Sequence, residues 1–200
     1  MRITKFDSKE EWLEARLGRI TGTRLGGLLS KRDKKPLKGF YEIIAERVAI
    51  PHDGENVMDR GLRLEDEAMQ RFEKETKKKV NTDLVLWSRE DNENIASSPD
   101  GYIGKKEAVE VKCLNSAAHI ETWLTKEIPS EYEMQVLQYF IVNDDLETLY
   151  FVMYDPRLPK IDFFYLTVTR EELKDKIAEY LQLERETLAK IAEIEAQLTF

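Results

Sequence analysis

The sequence predicts a mixed α/β fold: a central mixed β-sheet flanked by helices, with one long helix at the C-terminus. Three observations predict it. Amphipathic helical patterns fill the chain up to Lys77, and from Val80 to Cys113 the apolar residues fall instead in short β-rich runs. Helical patterns then return, interrupted by two further strand-like runs before a final capped helix. Helices on both sides of a group of strands must cover the faces of the sheet those strands form. The 200 residues contain no internal repeat, low-complexity tract or Gly/Ser linker, so residues 1–200 read as a single domain.

Taken in order, Ser8-Lys9-Glu10-Glu11 is a capping box that opens a helix through about Leu17. Gly18 to Gly27 reads as a turn and a short helix, and the basic run Lys31 to Lys38 as an exposed loop that is a candidate for DNA contact. A helix from Lys38 to Ala49 and a longer one from about Val57 to Lys77 follow. Strands are expected at Val80–Trp87, Ile95–Ser97, Tyr102–Gly104 and Ala108–Cys113, separated by Asn, Asp, Gly and Pro. Helices at Ala117–Lys126 and Ser130–Val142 precede strands at Thr148–Tyr154 and Asp162–Val168. The capping box Thr169-Arg170-Glu171-Glu172 starts the last helix. Its apolar positions Leu173, Ile177, Leu181, Leu188, Ile191 and Leu198 suit packing on the domain or on a neighbouring subunit.

Bulk properties narrow the function. A content of 42% hydrophobic and 35% charged residues is that of a globular protein rather than a disordered one. No apolar run reaches the roughly 20 residues that span a bilayer, and the N-terminus lacks the apolar core of a signal peptide, so no membrane partner and a cytoplasmic location are expected. The single cysteine, Cys113, excludes an internal disulfide and an all-cysteine metal site within one chain. A net charge of −8 counts against a passive DNA-binding module. It counts less against a metal-dependent nuclease, whose clustered carboxylates hold cations that reverse their local effect.

Several polar residues stand where apolar ones belong. Glu65 falls in the apolar stripe Met58, Leu62, Met69 and Phe72, where a carboxylate loses hydration and must find a partner. In Ala108-Val109-Glu110-Val111-Lys112, alternation puts Val109 and Val111 on one face and Glu110 with Lys112 on the other. A surface ion pair on a half-exposed strand is the ordinary reading. Ser98-Pro99-Asp100-Gly101, however, places a second carboxylate at a tight turn, from which Tyr102 to Gly104 can pair back as a hairpin. Asp100 and Glu110 then converge across adjacent strands. Two carboxylates and an intervening backbone carbonyl make an oxygen-rich site suited to Mg²⁺ or Mn²⁺. Such an ion can polarise a phosphodiester and lower the pKa of bound water, while Lys112 orients that water or neutralises developing charge. On the helix Ser130–Val142, Gln135, Gln138, Tyr139 and Val142 share one face. Gln135 either holds the nucleophilic water or an acidic ligand, or is a satisfied structural amide.

These residues resemble the PD-(D/E)XK nucleases and, within them, the phage lambda exonuclease (YqaJ-type viral recombinase) family. Asp100 and Glu110-Val111-Lys112 match the short superfamily signature, and the more specific likeness lies in the ordered set around it. Gly61 to Glu65 resembles the helix carrying the first acidic ligand, Ser97 to Gly101 the Ser-Pro-Asp-Gly turn, and Gln135 to Tyr139 the Gln-x-x-x-Tyr motif shared with RecB-like nucleases. Trp12 to Thr23 is similar to the family's Trp…Arg-Leu-Gly-x-Ile-Thr-Ala-Ser segment, and Tyr154 to Arg157 also has a counterpart.

The resemblance implies a restriction-endonuclease-like core and a Mg²⁺-dependent exonuclease that degrades one strand of duplex DNA from 5′ to 3′, leaving a 3′ overhang for recombination by strand annealing. It implies Glu65, Asp100, Glu110 and the Val111 carbonyl as metal ligands, with Lys112 as base or water-orienting residue assisted by Gln135. Arg16, Thr23 and Ser98 fall on positions that bind the 5′ phosphate, Tyr139 on a DNA- or site-lining position, and Met58 on an apolar wedge that parts the end base pairs. A homotrimeric ring around DNA and a single-strand annealing protein are the implied partners. Thr23 stands for the family's serine, Leu114 for a proline, and Ala118, beside His119, for an arginine near the phosphate. The competing expectations are another PD-(D/E)XK nuclease of different polarity or endonucleolytic action, and a non-catalytic DNA-end-binding recombination partner.

Overall fold

The computed structural model describes residues 1–32, 34, 37, 39–40, 43, 59–114, 116–156 and 158–198. The expectations for Met58, Arg157 and most of the helix Lys38–Ala49 fall outside those residues; within that segment Phe40 and Ile43 are buried in the core. The elements, in chain order, are β1 (Arg2–Lys5), α1 (Lys9–Glu14), α2 (Gly22–Leu25), α3 (Asp59–Thr76), β2 (Val85–Ser88), β3 (Ala96–Ser97), β4 (Gly101–Ile103) and β5 (Glu107–Lys112). They continue with α4 (Ser116–Thr125), α5 (Glu133–Val142), β6 (Thr148–Tyr154), β7 (Phe163–Thr169) and α6 (Arg170–Leu198).

Among the described residues the strands form two sheets, β1-β2-β3 and β4-β5-β6-β7. Every pairing is antiparallel except β5 with β6, where Glu110 lies opposite Phe151 and Lys112 opposite Met153. Between those two strands the chain passes through α4 and α5, the crossover that a parallel pair requires. Alternation along β5 and β6 sorts their side chains between two cores. Val109, Val111 and Val152 pack with Ala68, Met69 and Phe72 of α3. Ala108, Leu149, Phe151 and Met153 face the larger cluster built with α5 and α6. Burial of each large apolar side chain in these layers contributes roughly 1.5–3 kcal/mol before entropy is counted.

Several boundaries differ from the sequence expectation for visible reasons. β1 was not expected, because all four of its residues are exposed and no alternation marks it; pairing with β2 defines it. Ser8 Oγ accepts from Glu11 N, as the capping box predicts, but α1 ends at Glu14, ahead of turns leading to Gly18 at φ 65. The single strand expected at Val80–Trp87 is a bridge from Asn81 to Tyr102 followed by β2. At the start of the last helix, Glu172 Oε2 accepts from the Thr169 backbone N–H at 2.7 Å, the reach-back half of a capping box. Leu188 and Ile191 of α6 are buried, Leu173, Ile177 and Leu181 are partly so, and Leu198 is exposed.

α5 is fixed at its C-terminal end and along its middle. The guanidinium of Arg170 donates to the carbonyls of Phe140, Asn143 and Leu146 at 2.8, 2.5 and 2.7 Å, which satisfies acceptors that the end of a helix leaves open. Asn143 Nδ2 donates to the Lys105 carbonyl at 2.8 Å, tying the same helix end to the β4–β5 turn. Gln138 Nε2 lies 3.3 Å from the carbonyls of both Ile20 and Ala96, where the N-terminal segment bridges to Ile95 beside β3.

Candidate active site

Glu110 is the centre of the constellation. On β5 it points toward α5 with 1% of its surface exposed, so the strand is covered on both faces and the half-exposed strand of the ordinary reading is set aside. A buried carboxylate must be matched by donors, and three reach this one. Lys112 Nζ and Gln135 Nε2 each donate to Oε1 at 2.5 Å, and the Tyr139 hydroxyl donates to Oε2. The Tyr139 hydroxyl also lies 3.1 Å from the Ser98 carbonyl, so its one proton serves either acceptor. Burial, then the Glu110 and Asp100 charges, push the Tyr139 phenol well above its ordinary value, and it stays a donor. Burial alone would lower the Lys112 ammonium, but Glu110 and Asp100 outweigh burial and hold it above its ordinary value.

Asp100 is brought to Glu110 by the hairpin that the Ser-Pro-Asp-Gly turn opens. β4 starts at Gly101, opposite Val109, so Asp100 stands one step beyond the ladder, across from Glu110. There its Oδ2 accepts from the Val111 backbone N–H at 2.7 Å, replacing the strand partner that β4 no longer supplies. Glycine is needed next to it, because a Cβ on Gly101 would meet Val80 Cγ1 at 2.5 Å and Met69 Cε at 3.0 Å. Burial, and then repulsion from Glu110, drive the Asp100 carboxyl up to about 8; Lys112 and the Val111 N–H pull the other way, and Glu65 adds to the rise.

Glu65 approaches from the opposite layer. It is half-buried on α3 and, with Asp66, Asp83 and Asp100, makes the acidic lining of a cleft of about 130 Å³ that Val111 also reaches. Lys9 and Trp12 of α1 stand on the wall of the same cleft. Among the described residues, no three His, Cys, Asp or Glu side chains stand close enough to hold an ion as a closed shell. Asp100 and Glu110 adjoin, and Glu65 shares the cleft with Asp100 and acts on it through its charge. The donor set still suits a hard divalent cation. It is all oxygen, it includes a half-buried carboxyl raised by desolvation and then by its anionic neighbours, and a cation would relieve the repulsive part of that rise.

The residues expected at a phosphate lie around this centre. Arg16 stacks on Trp12, with Cζ 4.4 Å from the ring centroid, while Lys9 Nζ stands 4.1 Å from the same centroid. Trp12 is buried and anchored by its Nε1–H to the Val85 carbonyl at 3.0 Å. Burial lowers the Arg16 guanidinium, against the opposing pull of Tyr139, Glu110 and Asp100. Ser98 Oγ is buried and has no hydrogen-bond partner among the described residues. Thr23 Oγ1 lies 3.4 Å from Thr21 Oγ1. His119, next to Ala118, is fully buried, with Nε2 2.6 Å from the Ile161 carbonyl, and fills a structural place.

Sequence reasoning passed over Lys9 and Tyr132. Lys9 lies three residues before Trp12 on one helix. Tyr132 precedes Gln135 by three residues and Tyr139 by seven, a helical spacing that was available as a signal.

Comparison with known proteins gives the following. The family model described as the YqaJ-like viral recombinase domain matches residues 11–145, a span that holds Glu65, Asp100, Glu110, Lys112, Gln135 and Tyr139. No curated protein sequence matches the chain. Among solved structures, the alkaline exonuclease LHK-Exo from Laribacter hongkongensis superposes with a TM-score of 0.78 at 28% identity, covering 94% of this chain and 97% of that one. LHK-Exo in complex with dAMP gives a TM-score of 0.79 at the same identity and coverage. A phage related exonuclease from Haemophilus somnus 129PT shares the fold, with a TM-score of 0.59 at 16% identity over 90% of this chain and 96% of that one.

Proposed function

Because the chain belongs to the YqaJ-like viral recombinase domain family, we propose that it is a metal-dependent exonuclease that digests one strand of duplex DNA from 5′ to 3′. The observation that carries this reading is the meeting of Glu110 and Lys112 on one strand face with Asp100 across the hairpin and Glu65 on the facing cleft wall. A scaffold or a passive DNA-binding surface has no use for carboxylates gathered where phosphates must come. Solved structures of similar fold at 28% identity are of an alkaline exonuclease, one of them holding dAMP.

Glu65, Asp100 and Glu110, with the Val111 carbonyl, would hold Mg²⁺, for which Mn²⁺ can substitute. When bound, the ion polarises the scissile phosphodiester, lowers the pKa of its water and stabilises the leaving oxygen. The chain's own residues do the rest. The Lys112 ammonium orients the attacking water and neutralises the charge that grows on the phosphoryl oxygens. Gln135 and Tyr139 fix the Glu110 carboxylate, so that its oxygens hold one orientation while substrate moves past. Arg16 offers a guanidinium to the 5′-terminal phosphate, and the unpartnered Ser98 hydroxyl and Thr23 offer neutral donors. The proposal extends to action on DNA ends as a homotrimeric ring that feeds a single-strand annealing protein, with family membership as its support.

End-labelled linear duplex incubated with the protein in Mg²⁺ tests the reading. Mononucleotides should be released from the 5′-ended strand, closed circular duplex should survive, EDTA should stop the reaction and added Mg²⁺ restore it. Lys112→Ala should abolish cleavage with the fold intact. Nicking of closed circles would point instead to an endonuclease, and DNA retention without turnover in Mg²⁺ to a binding protein.

A further inference from the structure

Lys112 is held by more than its ion pair. Its Nζ lies 4.9 Å from the centroid of the Tyr132 ring, in the residue just before α5 begins, within cation–π reach. The ring is half-buried and braced from behind by Phe151 of β6, with centroids 5.8 Å apart. Phe151 is fully buried and is the residue that pairs with Glu110 across the parallel ladder. Tyr132, Gln135 and Tyr139 thus face β5 from one side of α5 and its entry turn, at i, i+3 and i+7. Gln135 and Tyr139 take the Glu110 oxygens, and Tyr132 takes the ammonium.

An aliphatic ammonium on four rotatable carbons is a poor catalyst unless something stops it swinging. The bond from Lys112 Nζ to Glu110 Oε1 alone cannot do so, because Glu110 must also face an incoming ion and Gln135 shares the same oxygen. A ring face leaves the three N–H donors free to point at a phosphate or a water, since it attracts the charge without using a directional bond. Burial, then the neighbouring Glu131, hold the phenol above its ordinary value, so the ring stays neutral and keeps its attraction for a cation.

We infer that Tyr132 is the positioning residue for Lys112: its ring face holds the ammonium in register with Glu110 while leaving its donors available to the substrate. This rests on the nuclease reading above. The test is steady-state degradation of end-labelled linear duplex in Mg²⁺ by the wild-type protein and by Tyr132→Phe, Tyr132→Leu and Tyr132→Met, with thermal melts and duplex binding in EDTA measured alongside.

Phe keeps the ring and should keep kcat within about threefold. Leu and Met lose the ring face and should lower kcat about tenfold, ~1.4 kcal/mol, with KM and EDTA binding unchanged. Met fills the space against Phe151, so it carries the comparison if the Leu variant melts early. Wild-type kcat in the Met variant would overturn the inference. So would an equal loss in Phe and Met, which would assign the effect to the hydroxyl, or a loss confined to KM. A wild-type protein that releases no nucleotide in Mg²⁺ would instead fail the nuclease reading itself.

Discussion

Glu184 on α6 makes the structure's sharpest stability prediction. It is completely buried, and among the described residues neither carboxyl oxygen has a hydrogen-bond partner. It lies near Gln138, whose own Oε1 is also buried and unpartnered. Burial pushes the Glu184 carboxyl from 4.5 up to about 8, against the weaker downward pull of Gln138 and Arg89. Between those two values the native chain keeps a proton that the unfolded chain has released. Stability therefore declines as pH rises, by about 1.4 kcal/mol per pH unit. The contribution is complete below the unfolded value and is gone once pH passes the folded one.

Glu184→Gln removes the titration and supplies an N–H that can reach Gln138 Oε1. The variant should match wild type near pH 4.5 and pull ahead as pH rises, by an upper bound of about 3 kcal/mol at pH 7 and about 4 at pH 8. For a chain of this size each kcal/mol moves Tm by roughly 2–4 °C. Thermal melts of both proteins from pH 5 to 8.5 read the difference directly. Parallel curves, with a gap that does not change with pH, would refute the argument, because they would mean that Glu184 gives up its proton in the folded chain as readily as in the unfolded one.

Three further outcomes are expected. Tyr139→Phe leaves Glu110 Oε2 and the Ser98 carbonyl short of a donor, and a buried acceptor so stranded costs about 1–3 kcal/mol; steady-state assays should show a roughly ten- to hundredfold fall in kcat. Gly22→Ala puts a Cβ 2.9 Å from the Cα, Cγ and carbonyl oxygen of Gln135. It should lower stability by about 1–3 kcal/mol and slow turnover, read by urea melts beside an activity assay. Arg16→Ala should weaken action on 5′-phosphorylated ends selectively, and an equal loss on unphosphorylated ends would contradict the phosphate role.

Much of the fold was legible because its cues are local. The strand-turn-strand around Asp100 is written in Ser98-Pro99-Asp100-Gly101, and the alternation of Val109 and Val111 with Glu110 and Lys112 set the faces of β5 correctly. Long-range facts were not written there. Whether β5 is half-exposed or covered depends on α5, whose docking is set by Arg170, Asn143 and Gln138, all distant in sequence from Glu110. β1 escaped notice because an edge strand with both faces exposed needs no hydrophobic period. The candidate site was legible as chemistry, through polar residues breaking an apolar pattern. Tyr132, an aromatic residue beside a helix start, broke no pattern and so drew no notice.

The parallel pairing of β5 with β6 has one more consequence. Glu110 lies opposite Phe151 on a strand that the chain reaches only through α4 and α5, so the acids, the ammonium and their braces all depend on that crossover being in place. A half-made or unravelled chain carries every one of those side chains but not their arrangement. On the nuclease reading, turnover is thereby confined to the completed fold.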